Sequence, residues 1–502
     1  MQLADVVTAW RTVADTSSRL KKVEALAALL REASPGEAAI VVPWMSGDLR
    51  QRRTGIGWAL LRDAPPTSEA ATLTVVEVDA LFETAAGLAG PGSAGERRRL
   101  VHDTFARATP DEQSFLRGLI SGELRQGALE GVMTDAVAKA SGVPVGLVRR
   151  AAMLCGAVAP VAVSALAEGA AGLASYGLEV GRPVQPMLAS TATSVEEALG
   201  KLGEAAIEWK LDGIRVQVHR DGSDVTVFSR SLDDITARVP EIVASTLTLP
   251  AKRVVLDGEA IALRDDGRPR PFQETGARAA TGGEGVRLPL SLFAFDVLHV
   301  DGEDVLDRPG AERQLVLSTA VPADVLVPRL ITADASVAED FFRDTVARGH
   351  EGVVVKSLTV PYEAGRRGAG WLKVKPVHTL DLVVLAVEWG HGRRRGFLSN
   401  LHLGARDPES GGYVMLGKTF KGMTDEILRW QTERFLELET ARNDWQVFVR
   451  PEQVVEIAFD GVQRSPRYPG GVALRFARVL RYREDKRPDE ADTIDTVRSF
   501  LT

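Results

Sequence analysis

The chain has 502 residues, 45% hydrophobic and 26% charged, which suits an ordinary globular protein of about three domains. A net charge of −7 excludes a protein that coats nucleic acid by bulk positive charge but leaves room for local basic patches, and one cysteine excludes an intramolecular disulfide or a multi-cysteine zinc module. No apolar run reaches membrane-span length, and Met1-Gln2-Leu3-Ala4-Asp5 lacks the regions of a signal peptide, so a cytoplasmic protein is expected.

Residues 1–180 predict an all-α domain. Apolar residues recur at three and four: Val6, Trp10 and Val13, then Val23, Leu26, Leu29 and Leu30. Pro35-Gly36 and the small residues from Ala85 to Gly95 read as breakers. Around Ser114 to Ile120 and Gly122 to Gly127, arginines and glycines sit beside an apolar face, either as helix ends and cations for phosphates or as solvated surface. Cys155, in an apolar stretch, reads as a packing residue rather than a reactive thiol.

From Gly177 to Pro186, Gly181, Pro183 and Pro186 suggest a linker into a second domain, 181–380, where strands alternate with helices. Strands are expected over Arg215 to Arg220, Val225 to Ser229, Val254 to Leu256 and Leu292 to Val300, with a mobile loop from Glu274 to Arg287. A third domain, 381–502, is rich in strands, with a turn at Gly390 to Gly396 and one helix around Asp425 to Leu438. This pattern suits a small β-barrel of the OB type.

The chemistry begins at Glu208-Trp209-Lys210-Leu211-Asp212-Gly213-Ile214-Arg215. An amine attacks a nucleotide α-phosphate only when deprotonated and held in line, a task closed to guanidinium. Val255-Leu256-Asp257-Gly258-Glu259 sets a carboxylate beyond an apolar run, and Phe293-Ala294-Phe295-Asp296 offers a ring on which a base could stack. In Glu351-Gly352-Val353-Val354-Val355-Lys356, alternation assigns Glu351, Val353 and Val355 to one face and Lys356 to the other. Trp371-Leu372-Lys373-Val374-Lys375 places two lysines on one face, spaced to grip phosphate oxygens, and RFARVLRYREDK at 475–486 is a basic segment. Lysine is scarce beside arginine: Lys210, Lys356, Lys373, Lys375 and Lys486 are five of the twelve in the chain.

In order and wording these segments resemble the covalent nucleotidyltransferases and, within them, the ATP-dependent DNA ligases of the bacterial three-domain type. KLDGIR looks like the nucleotidyl-lysine motif. Ser229-Arg230, LDGE, FAFD, EGVVVK, WLKVK and RFARVLRYREDK look like those that follow. Pro186-Met187-Leu188-Ala189, Pro271-Phe272-Gln273 and the run from Tyr362 to Gly368 are similar to ligase wording too. The resemblance spans residues 181 to 490, with a vaguer match of the helical part to the ligase DNA-binding domain.

It implies a helical DNA-binding domain, an α+β, ATP-grasp-like nucleotidyltransferase domain and an OB-fold domain. Lys210 would take AMP from ATP, pass it to the 5′-phosphate of a nick, and the 3′-hydroxyl would then displace it. Glu208, Arg215, Arg230, Glu259, Phe295, Lys356, Lys373, Lys375, Arg481, Asp485 and Lys486 would bind ATP or AMP. Glu259 and Glu351 would hold Mg²⁺, for which Mn²⁺ could substitute. Arg215 and Arg230 would serve the ribose and nick phosphates. Asp485 and Lys486 would act on ATP while the OB domain is closed, before a hinge near Pro376 to Asp381 swings that domain onto nicked duplex DNA. A nucleoid-associated monomer is implied. mRNA capping enzymes share Lys-x-Asp-Gly but use GTP; the long helical region and the wording at 186–189 favour a DNA ligase over capping enzymes and RNA ligases. NAD-dependent ligases carry a four-cysteine zinc module that one cysteine cannot build.

Overall fold

A computed structural model describes residues 1–51, 54–57, 60–61, 65–124, 130–281, 288–363 and 367–501. Arg125 to Gly127, Gly282 to Arg287 and Ala364 to Arg366, named above, lie outside the described residues. Among those described, no helix is long and apolar enough to cross a membrane.

The N-terminal region is helical, as its periodicity predicts. Val6 and Val13 of the helix Leu3–Ala14 and Leu26 and Leu30 of Arg19–Glu32 are buried in one core. Trp10 packs at its edge, ring to ring with Phe115 at 5.6 Å. Pro35 starts a helix rather than breaking one. It occupies the first turn of Pro35–Trp44, where its missing N–H has no intrahelical partner to lose, and Ser34 and Glu37 close a capping box ahead of it. Cys155 ends the helix Val145–Cys155, half-buried against the same core, and burial pushes its thiol pKa up.

Two antiparallel-dominated sheets make up the middle region. In the first, β1 (Leu188–Thr191), β10 (Arg367–Val374), β9 (Gly352–Ser357), β2 (Ala205–Lys210) and β8 (Arg329–Thr332) lie side by side in that order, with only β1 and β10 parallel. Its far face, with Val353, Val355, Ile207 and Leu372, packs on the helices Val195–Leu202 and Ala335–Ala347. The second sheet runs β4 (Asp224–Ser229), β3 (Ile214–Asp221), β5 (Arg253–Ala262), β6 (Leu290–Val300) and β7 (Glu303–Asp304). The strands expected here are all present, and longer. The loop expected from Glu274 is instead the helix Phe272–Thr281 over its described part. Its one glycine, Gly276, reads as a breaker, yet Ala277, Ala279 and Ala280 favour a helix, and packing against β5 and the turn Thr236–Arg238 holds it.

The C-terminal region is a seven-stranded sheet. Its spine is β11 (His378–Trp389), flanked by β12 (Leu398–Arg406) and, in turn, β13 (Tyr413–Thr419). The other edge of β11 pairs with β16 (Val454–Phe459) over residues 378–383 and with β15 (Gln446–Val449) over 386–388. Strands β14 (Glu439–Arg442) and β19 (Arg478–Tyr482) extend the two halves, and β17 (Gly461–Arg464) and β18 (Val472–Arg475) form a separate hairpin. The described pairings do not close into a barrel. The helix expected near 425–438 is Asp425–Glu437, and β11 spans the boundary expected between 380 and 381.

Candidate active site

Lys210 is the last residue of β2, and the chain leaves the first sheet there to enter the second at Ile214. Glycine at 213 is a matter of room: a Cβ would stand 2.2 Å from Ile261 Cγ2 and 2.5 Å from the Ala260 carbonyl. The crossing therefore lies flat against β5 and aims the lysine into the gap between the sheets. There it opens onto a cavity of about 580 Å³.

The cavity collects most of the residues singled out in the sequence. Lys210, Glu208, Arg215, Arg230, Glu259, Phe295, Glu351, Lys356, Lys373 and Lys375 all line it. Lys373 and Lys375 share its wall with Trp371, as period two requires. Phe295 meets Trp371 edge to face at 5.9 Å, and Lys356 Nζ lies 4.5 Å from one ring centroid and 4.3 Å from the other. Arg230 is exposed and also borders a second cavity with Glu130 of the helical region and Gln185 of the linker.

Glu351 departs from its expected place. It precedes β9 rather than belonging to it, and Gly352, at φ 138°, breaks the alternation, so Glu351 joins Lys356 in the cavity while Val353 and Val355 face the core. A Cβ at 352 would stand 2.2 Å from the Val374 carbonyl, so this crossing too demands glycine. The Glu351 N–H donates to the Lys210 carbonyl at 3.1 Å, and its carboxylate accepts from both Lys210 Nζ and Lys375 Nζ.

Several of the remaining charges are paired and desolvated. Arg215 forks onto Asp257 at 3.0 and 2.5 Å, and Tyr362 donates to Asp257 at 2.6 Å. Glu208 takes Lys356 at 2.6 Å and Arg329 Nε at 2.7 Å. Burial pushes the Glu259 carboxyl up to about 7 against the pull of Lys210 and Arg215. Burial would raise Glu351 as well, but the Lys210 and Lys375 ammoniums outweigh it and hold that carboxyl below its usual range. Burial lowers Lys356 despite Glu208 and Asp296.

Among the described residues no three or more His, Cys, Asp or Glu side chains cluster as a metal cage. Glu259 and Glu351 are hard oxygen donors at the same cavity, a set that suits Mg²⁺ shared with substrate phosphates.

Three expected nucleotide-binding residues stand elsewhere in this conformation. Arg481 Nε donates to Glu456 at 2.6 Å, Asp485 accepts from Arg483, and Lys486 Nζ lies 2.5 Å from Asp381. None lines the cavity. The C-terminal region presents Arg475 and Phe476 instead, from the head of the same basic segment. Arg475 bonds Asp212 at 3.0 Å, and Asp460 takes Lys375 at 3.0 Å, so the two regions are clasped at the loop that follows Lys210. Phe476 holds φ 56°, 57% exposed, a strained and open position for an aromatic residue. Local spacing gives no role to Asp212, Asp257, Tyr362 or Arg475, because the partners they meet here are remote in sequence.

Three family models match: "ATP dependent DNA ligase domain" over residues 186–375, "ATP dependent DNA ligase C terminal region" over 394–486 and "DNA ligase N terminus" over 62–138. A probable DNA ligase of a Nocardioides species is 60% identical over 506 residues, 99% of each chain. The chain belongs to the ATP-dependent DNA ligases. A Mycobacterium probable DNA ligase is 59% identical over 516 residues, 100% of this chain and 99% of its own. Among solved structures, Pmar-Lig_Pre covers 95% of this ligase and 99% of its own chain with a TM-score of 0.65 at 19% identity, a likeness of fold. The family's reaction is nick sealing through an adenylylated enzyme, and this ligase has the family's three-part architecture: a helical N-terminal region, a nucleotidyltransferase domain and a C-terminal β-sheet domain.

Proposed function

We propose that Lys210 is the nucleophile that carries AMP. The observation behind this reading is its position at the sheet crossing, with Nζ held by Glu351 inside a cavity lined by aromatic rings, Phe295 among them, and three further lysines. After giving up a proton, the nitrogen attacks the ATP α-phosphate and pyrophosphate leaves. The 5′-phosphate of nicked duplex DNA then takes the AMP, and the 3′-hydroxyl displaces it. Splitting one difficult condensation into such steps is the gain of covalent catalysis.

Phe295 stacks on adenine, Glu208 and Arg215 shape the nucleoside pocket, and Lys356, Lys373 and Lys375 neutralise the α-phosphate. Arg230, exposed between two cavities, reaches toward the nick. Glu259 and Glu351 hold Mg²⁺, or Mn²⁺ in its place, which when bound supplies charge neutralisation at the phosphates.

In this reading Arg481, Asp485 and Lys486 meet ATP only after the C-terminal domain rotates. The hinge is narrower than 376–381, because pairing with β16 begins at His378; Pro376 and Val377 are left to absorb the turn. We place the domains at 1–180, 181–377 and 378–502. The middle domain grips nucleotide between two sheets in an ATP-grasp-like manner. The C-terminal domain is of the OB type, a reading supported by the long β11 serving two half-sheets. The ligase acts as a monomer on the nucleoid.

Incubation with α-labelled ATP or GTP and Mg²⁺ tests the assignment. Label from ATP alone, lost in Lys210→Ala, is expected; label from GTP would indicate capping chemistry, and label surviving Lys210→Ala would remove the nucleophile.

A further inference from the structure

β3, the strand that follows the nucleophile loop, carries Arg215, Gln217 and His219 at period two, so the three side chains leave it on one face. Each meets the backbone of the segment that joins the helical region to β1. Arg215 Nη1 donates to the Met187 carbonyl at 2.6 Å. Gln217 takes both backbone groups of Val184: its Nε2 donates to the carbonyl at 3.0 Å and its Oε1 accepts from the N–H at 2.7 Å. His219 Nδ1 accepts from the Gly181 N–H at 3.0 Å, and its Nε2 lies 2.9 Å from Gln217 Oε1. The strand advances two residues for every three of linker.

The network closes on itself. Since Nδ1 accepts, the imidazole proton belongs on Nε2, where it is donated to Gln217 Oε1; that oxygen then has two donors for its two lone pairs. Gln217 is 4% exposed and His219 1%, so neither could exchange a lost partner for water. Burial and the neighbouring His299 hold His219 down at about 3, which keeps the ring in the neutral form that the bonds require.

A connector needs no such attachment merely to connect. This one is fixed on its other side as well. The Gln185 N–H donates to the Met153 carbonyl at 3.0 Å, and Met153 and Leu154 of the last but one N-terminal helix pack with Val184, Met187, Tyr362 and Trp371 in one cluster. Trp371, and Leu188 and Ala189 just past the linker, line the nucleotide cavity.

We propose that Gln217 and His219 are positioning residues that hold the linker in register between the nucleotide cavity and the helical region, and that DNA-dependent sealing needs this register while self-adenylylation does not. The proposal rests on the reading of the helical region as the DNA-binding part. Neither side chain lines the cavity.

The test compares the steps in the full chain. Gln217→Met keeps volume and loses both bonds to Val184; His219→Leu loses the bond to Gly181; His219→Asn keeps an acceptor near the Nδ1 position. Labelling by α-labelled ATP is measured first, then single-turnover sealing of nicked duplex by the pre-labelled enzyme. Labelling within about twofold of the parent and sealing slower by about tenfold are expected for Gln217→Met and His219→Leu, with His219→Asn recovering most of the rate. Should His219→Leu fail to fold, Gln217→Met carries the comparison alone. Equal losses in labelling and sealing would overturn the proposal in favour of general support of the fold, and unchanged sealing would overturn it outright. Failure of the Lys210 assignment reads differently, as label retained in Lys210→Ala.

Discussion

The helical region and the nucleotide cavity both abound in ion pairs, yet they use them in opposite ways. On the helices, pairs such as Arg11–Asp111 join side chains about half exposed, 54% and 46%. In the cavity, Arg215–Asp257 joins side chains 15% and 1% exposed, and Lys356–Glu208 joins 4% and 2%. Exposed pairs gain little in high dielectric and give way at little cost. A buried pair contributes little net stability over an apolar pair, but removing one member strands the other charge. The cavity pairs therefore serve geometry: they hold oxygens and nitrogens where the proposed nucleotide site needs them.

The contrast can be broken at its strongest point. Lys210→Ala should abolish labelling altogether with no large loss of stability, since Glu351 keeps Lys375; a preserved label would dissolve the site. Next, Asp257→Ala leaves Arg215 buried without its carboxylate and should cost about 3–5 kcal/mol in urea unfolding together with most of the sealing activity. A loss as small as that of a surface pair would show the cavity to be wetter than its burial implies.

His219 gives a graded test. Its folded pKa is depressed to about 3, so the unfolded chain binds a proton that the folded one refuses. The stability it contributes is present above about 6.5 and is lost as pH falls toward 3, by about 2 kcal/mol between pH 6.5 and 5. Melting across that window should show a shallower slope in His219→Asn; an unchanged slope would assign the acid sensitivity elsewhere, His350 being the next group, held down at about 4 by burial and Arg348.

Salt separates the two regions kinetically. Sealing should fall steeply with ionic strength if the arginine-rich surfaces bind phosphates, while labelling by ATP should change far less. The smallest effect is expected on the helices, where Arg11→Ala should move the melting temperature by no more than about 2 °C.

Much of the cavity's lining was legible because its lysines, carboxylates and Phe295 sit in short motifs, several with strand-period spacing. Lys373 and Lys375 face together for that reason, and Phe295 follows from its alternation in β6. Glu351 was legible as a residue but not as a direction, because Gly352 interrupts the pleat and no period survives that break. Helix starts were partly hidden: Pro35 reads as a stop until Ser34 and Glu37 are seen capping it. The helix Phe272–Thr281 was hidden by Gly276 and by the Gly- and Thr-rich run that follows it, although its three alanines favour a helix. The C-terminal basic segment presents its two ends differently. Its last residues resemble a nucleotide-contacting motif, yet in this conformation its first two, Arg475 and Phe476, face the cavity.

The family, the order of its parts and the lysine proposed to carry the chemistry are determined by local wording, since a motif, a strand end and period-two lysines need only neighbours in the chain. Which partner each charge takes was decided by tertiary structure alone. Arg215 finds Asp257, Lys375 finds Asp460 and Gln217 finds the Val184 backbone because sheets and linker meet in space, at separations of 42, 85 and 33 residues. Pairing of buried charges depends on which groups are desolvated together, and that is a property of the packed molecule.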